Sequence, residues 1–290
     1  VILVFNSIFV MKYIRKMKFS IITINYNNGK GLERTILSVI NQSYKDYEYI
    51  VIDGGSQDES IDIIKKYESN INYWISEHDK GIYNAMNKGI RQSSGEYLNF
   101  MNSGDIYHSN TTLNEVSHFL KENIIIGSSL IGGKLYTSKF NNETISMLDL
   151  ITEDITHQAT FISRSLFKNS QYNENYTIVS DWIFFIEKII FENCSVNSVN
   201  IIIVDYDYDG ISSDRTKVLE ERKKYFDNNI SPRIYIDYEK LVQYRKSIFY
   251  ELIPKLENTR YGFQLVMKKI IFVLLDIYNK IPSFLFKKNV

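Results

Sequence analysis

"NFMNSGDIYH" (Asn99–His108) decides how the first half of this chain is read. The apolar run Tyr97–Met101 stops at Asn102-Ser103-Gly104 and a single acid, Asp105. An apolar segment that ends in small turn-forming residues has the signature of a buried strand feeding a tight turn. Such a strand delivers one carboxylate to its carboxyl end, and the function depends on what else arrives at that edge.

Upstream, strand-like and helix-like segments alternate back to Lys18. "FSIITIN" (Phe19–Asn25) and "YEYIVID" (Tyr47–Asp53) are β-branched and apolar, "NYWIS" (Asn72–Ser76) is a short third strand, and "EYLNFMN" (Glu96–Asn102) is the fourth. Leu32, Ile36, Val39 and Ile40 repeat at helical spacing, and Ile82 to Ile90 forms a further helix. Ser56 or Asp58 is placed to cap a helix carrying Ile61, Ile63 and Ile64. Buried strands separated by helices predict an α/β fold, a mostly parallel sheet with helices on both faces. Downstream the pattern is less regular. It predicts a helix over Thr111–Leu120, strands over Ile124–Ile131, Lys134–Tyr136 and Thr156–Ser163, and a short helix over Ser146–Ile151. A helix capped by Ser180 and a strand over Val199–Tyr206 follow, and the chain is largely helical after Gly210.

The chain has 290 residues and 44% hydrophobic content, enough for one large domain, with or without an appendage. Lys plus Arg and Asp plus Glu number 34 each, so the formal net charge is zero and no basic footprint for nucleic acid exists. A single cysteine, Cys194, excludes an intrachain disulfide framework and fits a reducing compartment. The leading "VILVFNSIFV" is too short to span a bilayer, and its positive charges follow it, where a secretory signal places them first. Residues 1–16 therefore read as an upstream extension outside the fold, with the natural start at Met17; a weak N-terminal anchor is the alternative.

In an open α/β sheet, ligands bind outside the carboxyl ends of the strands. Four polar stretches should converge there: Asn25-Tyr26-Asn27, Asp53-Gly54-Gly55-Ser56, Glu77-His78-Asp79 and Asn102-Ser103-Gly104-Asp105. Their glycines follow neither the dinucleotide nor the P-loop spacing. Asp181, in "VSDWIFF", lies in the first turn of an apolar helix, where the dipole favours its ionised form and its flanks point it to a cleft. His157, ahead of "QATFIS", reads as structural before catalytic.

These stretches, in order, resemble the family 2 glycosyltransferases of bacterial capsule, exopolysaccharide and O-antigen synthesis. The matching segments are "SIITINYNN" (Ser20–Asn28), "TILSVINQSYKDYEYIVIDGGSQD" (Thr35–Asp58), "DKGIYNAMNKGI" (Asp79–Ile90), "GEYLNFMNSGD" (Gly95–Asp105), "HQATFISRSLF" (His157–Phe167) and "SDWIFF" (Ser180–Phe185). The resemblance implies a GT-A fold, a nucleotide-sugar donor expected to be UDP-linked, a divalent cation such as Mg²⁺ or Mn²⁺, and inversion at the anomeric carbon. Residue by residue, it implies that Tyr26 and Asp53 hold the nucleotide base, and that Asp79 and Gly81 line the nucleotide loop. It further implies that Asn102, Ser103 and Asp105 occupy the acidic metal motif, with Asp105 as the metal ligand, and that Asp181 is the catalytic base. The family usually carries two or three acids at that turn, and here only Asp105 stands. A non-catalytic sugar-nucleotide-binding protein therefore remains an alternative; a nucleotidyltransferase is weaker, because "NYNNGKG" offers only Lys30 to grip phosphates.

The resemblance covers about residues 18–215, so the expected division is residues 1–16, a catalytic domain over 17–215 and a helical extension over 216–290. Across Gly262–Pro282, which contains "KKIIFVLLDIYNKIP", Gln264, Lys268, Lys269, Asp276, Asn279 and Lys280 share one polar arc of a helix. The rest is apolar, which fits either a packing helix or an amphipathic helix lying in a membrane surface. A glycan or lipid-linked acceptor, and a cytoplasmic location at the inner membrane, complete the expectation.

Overall fold

The computed structural model of the chain describes residues 17–137, 140, 144–206, 214–245, 255 and 259–280, with side chains as far as Leu275 in the last segment. The expectation for residues 1–16 lies outside the described residues. The order of elements begins β1 (Phe19–Asn25), α1 (Gly29–Ile40), β2 (Tyr47–Asp53), α2 (Ser60–Lys66), β3 (Tyr73–Ser76), α3 (Ile82–Gln92) and β4 (Tyr97–Phe100). It continues with β5 (Ile106–Tyr107), α4 (Thr112–Ser117), β6 (Ile124–Ile131), β7 (Lys134–Tyr136), α5 (Met147–Thr152), β8 (Thr160–Ser163), α6 (Ser180–Phe185) and β9 (Val196–Tyr206). Among the described residues three helices follow, α7 (Arg215–Asn229), α8 (Pro232–Arg245) and α9 (Tyr261–Lys280).

One sheet runs in the order β3-β2-β1-β4-β8-β6-β9-β5, with β7 pairing to β6. The strands β3, β2, β1 and β4 are mutually parallel, as the alternation of buried strands and helices predicts. Beyond β4 the sheet becomes mixed, because β8 runs antiparallel to both β4 and β6, while β9 returns parallel to β6. Side chains of β1 and β2 alternate between two layers. Phe19, Ile21, Tyr49 and Val51 join Leu32, Ile36 and Val39 of α1 and Ile63 and Ile64 of α2 in one core. Ile22 points the other way onto α3, where a Cβ on Gly89 would lie 2.4 Å from its Cγ2; the glycine lets helix and strand meet. Helices therefore cover both faces.

Three local expectations change. The fourth strand stops at Phe100 and the segment His157–Ala159 is a 3₁₀ turn, so only Thr160–Ser163 is strand. The short strand β5, unsignalled by its two residues, pairs with β9. Ser180 does not cap α6: the cap position is Val179, and the buried Ser180 hydroxyl has no hydrogen-bond partner. The backbone N–H groups of Thr177, Ile178 and Val179 instead donate to the carboxylate of Glu221 on α7, at 2.8, 2.9 and 3.3 Å.

The helix α7 therefore belongs to the first compact unit, which runs to Ile230, one helix beyond the boundary expected at residue 215. Tyr225 and Phe226 are buried, Phe226 and Trp182 meet edge to face at 5.4 Å, and the Arg222 guanidinium lies 4.6 Å over the Trp182 ring while it pairs with Asp154. Truncating a buried aromatic removes transfer energy and leaves a cavity, about 3–5 kcal/mol in all. Phe226→Ala should thus lower the melting temperature of this unit by roughly 10 °C, at about 2–4 °C per kcal/mol for its size. A chain ended at residue 230 should melt cooperatively in calorimetry and one ended at residue 214 should not. Equal melting of the two truncations would return the boundary to residue 215.

Candidate functional site

The parallel register aligns Asn25 with Asp53 and Asp53 with Ser76, so three strands end at one edge. After β4 the chain continues along β1 through Met101 N to Ile22 O at 2.9 Å and Ser103 N to Ile24 O at 3.0 Å, bringing the Asn102–Asp105 turn to the same edge. The expected convergence of polar strand ends is therefore present.

Within it, Asp53, which the resemblance implies for the nucleotide base, is turned into the fold. The residue is 0% exposed. Its Oδ1 accepts from Asn25 Nδ2 at 2.7 Å and Ser56 Oγ at 2.6 Å, and its Oδ2 from Gly55 N at 3.1 Å, Ser56 N at 2.9 Å and Ser76 Oγ at 2.6 Å. Burial works to raise its pKa, but the Ser56, Ser76 and Asn25 donors hold the carboxyl below the usual range. With both oxygens hydrogen-bonded and no exposed surface, Asp53 shapes the Gly54–Ser56 loop. Ser56, one of the two alternative helix caps expected, is likewise turned inward to Asp53 and accepts from Asn27 N, while Asp58 Oδ1 accepts from Ser60 N at the start of α2.

The acid that faces the cleft is Asp79. A Cβ on Gly54 would stand 2.5 Å from Asp79 Oδ2 and 3.2 Å from the Tyr26 ring, so the missing side chain seats the carboxylate beside the aromatic face. Tyr26 is 63% exposed. Asp79 Oδ1 accepts from Gly81 N at 2.9 Å, and Gly81, at φ +115°, takes a backbone conformation that favours glycine and opens α3.

The Asn102–Asp105 turn is held from α1. The Thr35 hydroxyl lies 2.7 Å from the Asp105 carbonyl and 3.2 Å from the Asn102 carbonyl, and accepts from Gly104 N at 2.9 Å. Asn28 caps α1 through Gly31 N and donates to the Ser103 carbonyl. Gly104, at φ +111°, closes the turn. Asp105 is buried; its Oδ2 accepts from Asn102 N at 3.0 Å. Burial pushes its carboxyl up to about 6, against the opposing pull of His157, Gln158, Asn102 and Arg34. Beside it, the buried Oδ1 of Asn102 has no hydrogen-bond partner. Among the described residues no three His, Cys, Asp or Glu side chains gather to hold an ion by themselves. A hard cation takes oxygen ligands and completes its shell from phosphate and water. One carboxylate raised by burial, next to an orphaned amide oxygen, fits such a cation.

Asp181 reaches the same region from α6. Its side chain is 15% exposed. Its Oδ1 is 2.7 Å from the Tyr83 hydroxyl and accepts from Trp182 N at 2.9 Å; its Oδ2 is 2.7 Å from His157 Nδ1. Burial works to raise the pKa, but the His157 and Tyr83 donors hold it below the usual range, so the carboxylate is ionised. His157 Nε2 in turn lies 3.3 Å from Asn102 Nδ2. The histidine read as structural is thus the link between the Asp181 helix and the Asp105 turn. No sequence spacing marks that link, nor the Tyr83 contact, since the partners lie 24 and 98 residues from Asp181. The structure brings together Tyr26 with Asp79 and Gly81, and Asn102, Ser103 and Asp105 with Asp181 through His157.

The family model "Glycosyl transferase family 2" matches residues 20–187. A PGL/p-HBAD biosynthesis glycosyltransferase of Mycobacterium tuberculosis is 29% identical over 204 residues, covering 67% of this chain and 79% of its own. Poly(ribitol-phosphate) beta-N-acetylglucosaminyltransferase TarP of Staphylococcus aureus is 31% identical over 210 residues, covering 66% of this chain and 62% of its own. Among solved structures, S. aureus TarS 1-349 in complex with UDP-GlcNAc superposes with a TM-score of 0.56 at 20% identity, over 66% of this chain and 58% of that one. Mannosyltransferase PcManGT from Pyrobaculum calidifontis, in complex with GDP-Man and Mn²⁺, gives 0.59 at 11% identity, over 90% and 81%. These two share the GT-A-like fold. The relatives' names point to PGL/p-HBAD and poly(ribitol-phosphate), and not specifically to the capsule and O-antigen glycans that the resemblance implied. With the family model spanning more than half of the chain, the conclusion is that it belongs to glycosyl transferase family 2 and is a glycosyltransferase.

Proposed function

We propose that this enzyme moves a sugar from a UDP-linked donor to a glycan or lipid-linked acceptor of the cell envelope, with inversion at the anomeric carbon. The observation that carries the reading is the meeting, at one sheet edge, of an exposed aromatic beside a half-buried carboxylate, a buried acid beside an orphaned oxygen, and an ionised carboxylate on a separate helix. The UDP-GlcNAc of TarS and the poly(ribitol-phosphate) of TarP support the donor and acceptor classes.

Tyr26 offers a flat apolar face to the base, and Asp79 an acceptor for its N–H. The Asn102–Asp105 turn lies where the diphosphate ends. A divalent cation held at Asp105, Mg²⁺ or Mn²⁺, would offset the negative charge that gathers on the departing diphosphate. Asp181 takes the proton of the acceptor hydroxyl. Its depressed pKa makes it a weak base, so the proton moves late, once attack on the oxocarbenium-like carbon has made the hydroxyl acidic. A non-catalytic binder would hold the same donor without releasing UDP from it.

Asp105→Ala should abolish the Mn²⁺-dependent part of UDP binding in calorimetry, and equal affinities in mutant and wild type with Mn²⁺ would overturn its role. Asp181→Asn should leave donor affinity near wild type and cut the transfer rate by roughly 10²-fold or more, the usual worth of a general base. A mutant that transfers within a few-fold of wild type would leave Asp181 a structural acid.

The two acids near the base should separate by readout. Asp79→Ala should weaken UDP about tenfold, the worth of one hydrogen bond to a charged group, with little change in melting temperature. Asp53→Ala should unsettle the protein itself by about 2–4 kcal/mol, because it strands several buried donors. If Asp53→Ala melted normally and lost only UDP, the buried acid would belong to the nucleotide pocket after all.

No described helix is long and apolar enough to cross a membrane. On α9, Phe263, Val266, Phe272, Val273 and Leu274 are exposed, alongside Lys268 and Lys269. We assign this helix to a membrane surface rich in anionic lipid, where a lipid-linked acceptor would reside. Removing residues 267–290 should release the protein from anionic vesicles without changing UDP release from donor; unchanged partition would make α9 a packing helix.

A further inference from the structure

We propose that His157 is a second protein ligand of the cation beside Asp105, binding it through Nε2, with Asp181 as the carboxylate that orients the ring. The inference rests on the nucleotide-sugar reading above and assigns to His157 a part that the sequence did not suggest.

The tautomer is the first step. Asp181 is an ionised acceptor, so the proton between it and His157 sits on Nδ1, and the 2.7 Å contact fixes the ring. The neutral imidazole then carries its lone pair on Nε2. A metal-binding histidine commonly has this second contact, its other N–H given to a carboxylate that sets tautomer and orientation. The direction of Nε2 is the second step. That atom accepts from Asn102 Nδ2 at 3.3 Å, a contact the ion would replace, and the backbone N–H of the same residue donates to Asp105 Oδ2 at 3.0 Å, so the ring and the carboxylate meet at Asn102. The neighbouring Gln158 side chain hydrogen-bonds the Asp105 carboxylate, so the His157-Gln158 pair borders the turn from β8. The unpartnered Asn102 Oδ1 supplies a further oxygen at the same place.

The direction also decides against the competing role. A base must stand on the face of the anomeric carbon away from the leaving group, whereas Nε2 faces the turn that receives the diphosphate. Asp181 stays free to act as the base, because a carboxylate offers about four lone-pair sites, and Tyr83, Trp182 and His157 take three. The remaining site is available to an acceptor hydroxyl. A nitrogen ligand beside the single acid also alters metal choice, since imidazole suits transition ions better than Mg²⁺. The site should rank Mn²⁺ and Co²⁺ above Mg²⁺.

The test uses the full chain with Mn²⁺ and UDP, followed by pulsed electron paramagnetic resonance. Wild type should show ¹⁴N modulation from a directly bound imidazole, and His157→Gln should lose it. Titrated with Mn²⁺ in the presence of UDP, His157→Gln and His157→Ala should bind the ion at least about tenfold more weakly. Their UDP affinity without metal should match wild type. Absence of ¹⁴N modulation in wild type overturns the inference without requiring any variant to fold. Equal loss of UDP affinity with and without metal would make His157 a direct phosphate contact, and also overturns it. A wild-type chain that bound no nucleoside diphosphate under any condition would instead refute the donor reading on which it rests.

Discussion

The Asp53 carboxylate is the knot on which the site depends. It joins Asn25 at the end of β1, Ser56 and Gly55 in the loop after β2, and Ser76 at the end of β3. An ionised acid wholly removed from water is costly unless hydrogen bonds replace its hydration, and five donors do so here. The arrangement is also directional. The donors come from separate segments of the chain, so the charge fixes where three strand ends lie relative to one another. The loop it folds leaves Gly54 bare, and that gap positions Asp79 against Tyr26. A buried residue thereby sets the shape of the cleft beside it.

A second set of contacts fastens the irregular half of the chain to this edge. Thr35 holds the Asp105 turn to α1, His157 bridges that turn to Asp181, and Tyr83 of α3 shares its hydroxyl between Asp181 and the Ile178 carbonyl, 2.7 Å from each. Behind them Glu221 of α7 collects the N–H groups that precede α6. The carboxylate proposed as base is thus positioned from three directions, which limits the reorganisation that proton transfer would require.

The parallel half of the fold was legible because its signal is local. β1 and β2 span the segments read from their β-branched runs, and Ile124–Ile131 and Lys134–Tyr136 likewise coincide. The site was legible only as far as ordered motifs carry it. Asp105 and Asp181 could be singled out from their segments, but Asp53 and Asp79 differ in a way that no motif states, since "IDGG" shows an acid and not whether its oxygens are spent. His157 escaped for the same reason. Its partners, Asn102 and Asp181, lie 55 and 24 residues away, and a lone histidine before a strand looks the same whether it is filler or a bridge. Ser180 misled because a serine before an apolar helix fits the capping rule, while the actual acceptor, Glu221, lies 44 residues from Thr177.

Charge balance gives the thinned acidic turn a purpose. A divalent ion surrounded by two or three carboxylates is formally neutral or negative, and it attracts a diphosphate weakly. Held by one carboxylate and neutral donors, the same ion keeps a net positive charge for the phosphate oxygens, in a buried setting where charges interact more strongly than in water. In the proposed site the cost would fall on the free protein, which would hold the ion poorly while burial keeps the Asp105 pKa raised. Donor and cation then stabilise each other's binding by the same free energy, so each should be bound tightly only with the other. A neutral histidine suits this arrangement better than a second acid, because it adds a metal ligand without cancelling the charge that the diphosphate must meet.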